Sequence, residues 1–256
     1  MKMKSVIAGV AALFATTTLA SAADMAVKAA PIVPPVVWSW TGFYIGAHVG
    51  AGWGTTESTL TSFTIGPPVN LVTPLNFPFS QNDRSGFLGG GQIGYNWQSG
   101  WAVFGVQADI AGTDIKGTTP CVVILSCTTE TNWLATVSGR LGAVVLDRGL
   151  IYVKGGGAWM NSDHTVRTPG FGAVAPTNLT SVSSDAFGWL LGFGTEWMIT
   201  PNWTAFVEYN YIEFDTKNER FPLNVGVAVP VSVNADLTNK LSIAKVGVNY
   251  KFNWGR

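Results

Sequence analysis

Three observations together predict one fold class. Eight segments alternate apolar and polar residues, the connections between them alternate long and short, and the chain is apolar overall without holding a long apolar run. The class is all-β: an eight-stranded antiparallel up-and-down transmembrane β-barrel with four long extracellular loops. Hydrophobic residues make up 47% of the chain and charged residues 12%, against about 25% charged in an ordinary soluble domain. After the N-terminal segment there is still no run of 18 apolar residues, so the chain does not cross a bilayer by helices. In a barrel only every second residue meets lipid, which reconciles the two facts. Gly 30, Trp 11 and Phe 14 agree with this. Glycine suits the interior of a narrow barrel, and aromatics gird both interfaces.

The chain opens on Lys2 and Lys4, an apolar stretch from Val6 to Ala15, and the small-residue sequence Leu19-Ala20-Ser21-Ala22-Ala23-Asp24. That pattern predicts a secretory signal peptide over residues 1–22, cleaved after Ala22 or Ala23. About 10 apolar residues are too few for a helix that needs about 20 to span. Loss of Lys2 and Lys4 leaves the exported chain two charges on the acidic side of neutrality. It therefore has no broad basic surface for nucleic acid. Residues 23–40 hold Pro31, Pro34 and Pro35 and read as an extended, unpaired N-terminal segment ending in Trp38 and Trp40. The barrel domain is expected over 41–256.

The first strand, 43–53, sets Phe43, Ile45, Val49 and Trp53 against Tyr44, Gly46, His48 and Gly50. Segment 86–97 opposes Phe87, Ile93, Tyr95 and Trp97 to Gly90, Gln92, Gly94 and Asn96. Segment 101–112 opposes Phe104, Val106 and Ile110 to Gln107 and Asp109, and 132–146 opposes Trp133, Val137 and Leu141 to Thr136, Ser138 and Arg140. Segment 150–160 sets Ile151, Val153 and Trp159 against Lys154. Segment 185–198 sets Trp189, Leu191, Phe193 and Trp197 against Gly192, Gly194 and Glu196. Segment 203–214 sets Trp203, Val207, Tyr209 and Tyr211 against Glu208 and Asn210, and 239–252 sets Val246, Val248, Tyr250 and Phe252 against Lys245, Gly247 and Asn249. The connections 98–100, 147–149 and 199–202 are tight turns. Those at 55–85, 113–131, 161–184 and 215–238 are long and rich in Thr, Asn and Pro, and are expected as loops. Short periplasmic turns and long outer loops are the habit of outer-membrane barrels. A soluble lipocalin-like barrel would invert the faces and put large apolar residues inside.

Several of these residues also carry a resemblance. Trp40-Thr41-Gly42-Phe43-Tyr44-Ile45-Gly46, Gly50 to Gly54, Gly90 to Trp97, Thr200 to Trp203, Glu208-Tyr209 and Val246 to Phe252 recur in order. They resemble the small opacity-type surface antigens of alphaproteobacteria, the porin-family or outer-membrane immunogenic proteins. The resemblance covers 38–252. It implies an eight-stranded barrel in the bacterial outer membrane, insertion by the outer-membrane assembly machinery, and display at the cell surface. It implies no single biochemical activity. One departure is the tail Asn253-Trp254-Gly255-Arg256 beyond Phe252, in which Trp254 keeps the alternation.

The candidate site is the lumen. Six charges face inward: Asp109, Arg140, Lys154, Glu196, Glu208 and Lys245, three acids and three bases. Adjacent strands suggest the pairs Asp109–Arg140, Lys154–Glu196 and Glu208–Lys245, a neutral network plugging a narrow interior. His48, Gln92, Asn96 and Gln107 are expected as further lumen polar groups. Cys121 and Cys127 lie close together in an exported chain and are expected to form a disulfide clipping the second outer loop. No metal site or cofactor is expected, and no catalytic residue. Asp163-His164 at the edge of an outer loop is a weak hint of an enzyme, and the Gly89–Gly91 and Gly155–Gly157 runs lack the Lys-Ser/Thr of a phosphate loop. The functional expectation is a structural, surface-exposed barrel, a monomer or weak oligomer. Its partners would be lipid, lipopolysaccharide and host or phage receptors. A narrow diffusion pore is the runner-up.

Overall fold

The computed structural model describes residues 38–122, 125–168, 177–223 and 229–252. The expected signal peptide, most of the Pro-rich segment and Trp254 lie outside the described residues. Nine strands are present among them. They are β1 (Gly42–Ile65), β2 (Leu71–Ser99), β3 (Ala102–Val122), β4 (Leu125–Val145), β5 (Gly149–Thr168), β6 (Thr177–Met198), β7 (Trp203–Phe214), β8 (Lys217–Leu223) and β9 (Val231–Phe252). All pair antiparallel in sequence order, and β1 pairs with β9 to close the ring. β7 and β8 both lie along β9 and form one stave interrupted at Asp215-Thr216, so the ring has eight staves.

The alternation sets the two faces as the sequence predicts. Outward residues such as Phe87, Ile110, Leu191 and Phe193 are exposed, while Gln92, Gln107, Lys154 and Glu208 are buried. On β1 the outward aromatics Phe43 and Trp53 bracket the lipid band. They stand about 33 Å apart along the strand, which a tilt near 45° brings close to an apolar band of about 25 Å. Tight turns close the periplasmic end, at Gly100-Trp101 and at Leu146–Arg148. The first uses Gly100 at φ 60°, and the second carries Leu146 and Asp147 at φ 49° and 62°.

The long connections differ from expectation. They are not irregular loops. β1 runs for 24 residues and β2 for 29, where about 9–11 suffice to cross a bilayer. The extra length continues the staves outward as hairpins. Hydropathy gives no sign of it, because above lipid both faces of a strand meet water or polar neighbours and the apolar alternation fades.

Above the bilayer the ring does not stay closed. The last rung between β2 and β3 is Ser85↔Lys116, and the last between β6 and β7 is Gly188↔Phe214. Beyond those rungs β8–β9–β1–β2 and β3–β4–β5–β6 continue as two facing four-stranded sheets. Side chains still bridge the two seams: Asn82 donates to the Gly117 and Cys127 carbonyls, and Ser184 donates to Glu219.

The lumen is layered. At the periplasmic end Trp40, 1% exposed, packs with Val103, Leu150, Tyr152 and Met198. The polar layer follows. Above it Leu88, Ile115, Leu134, Met160, Leu190, Ile212, Phe214, Leu241 and Ile243 form an apolar layer inside the barrel. This corrects the expectation of an interior made only of glycine and polar groups: these side chains fill the lumen where the charges end.

Glycine is required where staves approach most closely. A Cβ on inward Gly90 would run into the Ile110 carbonyl oxygen and the Ala111 Cα, whereas Gly89 next to it faces lipid with only ordinary contacts. Gly90→Val should destabilise the barrel by about 1–3 kcal/mol through overpacking, and Gly89→Val should stay within about 0.5 kcal/mol. Denaturant titrations of the two variants, read by heat-modifiable gel mobility, check the contrast.

Candidate functional site

The strand register fixes the height of each inward charge and so decides the partners. Asp109 stands opposite Thr136, with Arg140 four residues further along β4, or about 13 Å. Lys154 stands opposite Gly192, four residues short of Glu196. The expected Asp109–Arg140 and Lys154–Glu196 pairs are therefore not formed. Arg140 and Lys154 are instead rung partners, two cations side by side. Each reaches to a stave further round the ring.

The Arg140 guanidinium meets Glu196 at 3.0 Å, donates to Asn96 Oδ1 at 2.8 Å, and lies between the rings of Tyr44 and Tyr152 at 5.0 and 4.9 Å. Glu196 also accepts from Thr204 at 2.5 Å and Asn249 at 2.7 Å. The other four charges form a closed square. Lys154 Nζ lies 2.8 Å from Glu208 and 3.7 Å from Asp109, while Lys245 Nζ lies 3.1 Å from Glu208 and 3.3 Å from Asp109. The expected Glu208–Lys245 pair is one side of it. Glu208 further accepts from Tyr152 and Asn210, and Asp109 from Thr136 and Gln107.

The lumen amides tie the two clusters together. Gln92 donates to Asn249, Gln107 donates to Gln92, and Tyr44 donates to Gln107. The sequence places Tyr44, Asn210 and Asn249 on the polar face without making them candidate site residues, and it leaves Tyr152 unmarked. Tyr44 and Tyr152 resemble the outward girdle aromatics in type, and only their inward phase on the strand marks them. His48 is buried at the same level, but its Nδ1 has no hydrogen-bond partner among the described residues. The void beside His48, Asp109 and Lys245 measures about 10 Å³, room for at most one water. Each cluster sums to zero charge, which suits burial, since a stranded buried charge is costly.

The surface residues fare differently. Asp163 and His164 are neighbours on one strand, so they face opposite ways and form no dyad. Asp163 is half-buried, accepts from Ser183 and Asn132, and is held below the usual carboxylate range by those donors. His164 is buried beside Thr129, at 3.1 Å. Burial, with Arg84 adding to it, pushes the imidazole down to about 4. Among the described residues no group of His, Cys, Asp and Glu could hold a metal ion. Cys127 is disulfide-bonded, and the Cys121 side chain lies outside the described residues.

Two measurements check this site. Glu208→Ala leaves Lys154 and Lys245 to share Asp109, with one buried positive charge in excess, and should cost about 3–5 kcal/mol of stability. Adding Lys154→Met restores neutrality and should recover much of that loss in the same denaturant titration. For His164, an NMR titration should give a midpoint near pH 4. Its unfolded value lies near 6.5, so the folded state disfavours the proton and the hairpins lose stability as pH falls from about 6.5 toward 4.

The sequence was compared with known proteins. The family described as "Outer membrane protein beta-barrel domain" matches residues 10–252. The 31 kDa outer-membrane immunogenic protein of Brucella melitensis biotype 1 is 32% identical over 98% of this chain and all of that protein. The 22 kDa outer membrane protein of Rhizobium leguminosarum bv. viciae is 29% identical over 74% of this chain and 70% of its own. Among solved structures, OprG from Pseudomonas aeruginosa covers 85% of this chain and 99% of its own at 11% identity, with a TM-score of 0.47. The chain spans the outer membrane by a closed ring of strands and belongs to the outer membrane protein β-barrel family.

Proposed function

We propose that the protein is a structural, surface-displayed barrel whose lumen is sealed. It would contribute to envelope integrity and present its hairpins to the surroundings. The observation that carries this reading is the closed square of Asp109, Lys154, Glu208 and Lys245, in which every cation meets both acids. Such a square leaves no unpaired charge to attract a permeating ion. Apolar layers stand on both sides of it.

Anchorage comes from the outward belt of Trp, Phe, Val, Ile and Leu in contact with lipid and lipopolysaccharide. Recognition falls to the hairpins, which rise clear of the bilayer and carry Thr, Ser, Asn and Asp outward. Host or phage receptors are the fitting partners there, and assembly would go through the outer-membrane insertion machinery. A Cys121–Cys127 disulfide would clip the second hairpin near its tip, where Thr119 stands opposite Cys127. The separation of Asp163 from His164 supports a non-enzymatic role, and the name of the Brucella relative is in keeping with surface exposure.

Planar-bilayer recording of the purified protein tests the seal. No steady single-channel current is expected from the unmodified barrel. Large, stable channels that Glu208→Ala leaves unchanged would overturn the sealed-lumen reading in favour of a diffusion pore.

A further inference from the structure

Between the two outer sheets lies a cavity of about 170 Å³. Leu60, Phe221, Ala235 and Leu237 line it from one sheet, and Thr129 and His164 from the other. Its wall is almost wholly apolar. An engineered apolar cavity of about 150 Å³ stays dry and binds benzene, so this space suits a small apolar body better than water.

At the next inward position of β2 after the lining residue Asn82 sits a cation with no carboxylate partner among the described residues. Arg84 is 2% exposed. Its guanidinium donates to Thr131 Oγ1 at 3.0 Å and Asn239 Oδ1 at 3.1 Å, and one nitrogen lies 3.9 Å from the Met160 sulfur. Its Nε has no partner, and among the described residues no carboxylate lies within ion-pair distance. Residues 123–124, 169–176 and 224–228 contain no Asp or Glu. A buried guanidinium stays charged and costs stability unless an anion meets it. In the lumen below, Arg140, Lys154 and Lys245 each meet a carboxylate, and Arg84 meets none among the described residues. It is also the first β2 residue above the last β2–β3 rung.

We propose that the space between the outer sheets is a binding site for a small apolar carboxylate, its body in the cavity and its carboxylate on Arg84. The ligand supplies the missing counter-charge. His164, neutral at physiological pH, neither competes for the carboxylate nor adds a second charge.

The probe is 4-fluorobenzoate, with fluorobenzene as its uncharged counterpart. Binding is followed by fluorine NMR on the full exported chain folded in lipid nanodiscs. Saturable binding of 4-fluorobenzoate is expected, tighter than that of fluorobenzene. Arg84→Met should weaken the acid by about tenfold or more, as expected for loss of a charge-assisted contact, and leave fluorobenzene unchanged. Ala235→Phe, which fills the cavity, should weaken both. No saturable binding, equal binding of acid and neutral probe, or indifference to Ala235→Phe would each overturn the proposal. If Arg84→Met does not fold, the acid-to-neutral comparison and Ala235→Phe decide.

Discussion

The bilayer offers no hydrogen bonds, so every backbone N–H and C=O within it must be paired inside the chain. The closing ladder between β1 and β9, continuous from Phe43↔Phe252 to Leu60↔Ala235, meets that requirement. The rest of the architecture follows from it. A closed ring of eight staves forces period-two alternation and an interior only wide enough for side chains. The same constraint explains where the ring opens. Once the strands clear lipid, water can satisfy an edge, and the wall divides along β2/β3 and β6/β8 into two sheets.

Inside the ring, burial of charge is the next constraint. A narrow lumen could be filled with apolar side chains alone, and two of its layers are. The middle layer instead holds six charges that cancel in two groups. Replacing such a network by apolar groups is often neutral or stabilising, so stability alone does not require it. What the square does provide is a lumen with one arrangement of its polar groups. Each acid is shared by two cations, and Tyr152 reaches from Glu208 to the face of Arg140. An apolar filling would lack that specificity.

The membrane-crossing part was legible because lipid imposes a sharp contrast between faces: Ile151, Val153 and Trp159 against Lys154 leave no doubt about phase. The list of inward charges was legible for the same reason. Their partners were not. Pairing depends on height, height on register, and register on stagger that one strand's sequence does not state. Adjacent staves were the natural assumption, yet Arg140 and Lys154 turned out to be rung partners. Arg84 was missed because it lies where the alternation fades, in a segment taken for loop. The signal was present in Ser80, Asn82 and Arg84, alternate residues whose side chains all turn inward.

The apolar layer between the charge network and Arg84 connects these points. Ile115, Met160, Ile212, Phe214 and Leu241 are fully buried there. They hold Arg84 away from the acids of the lumen, so Glu208 and Asp109 cannot neutralise it. A low-dielectric layer separates two electrostatic problems that are solved differently. Below it the chain supplies its own counter-ions. Above it Arg84 has no carboxylate partner among the described residues and stands next to an apolar space. The proposed seal and the proposed site therefore lie on opposite sides of a layer that ions do not cross easily.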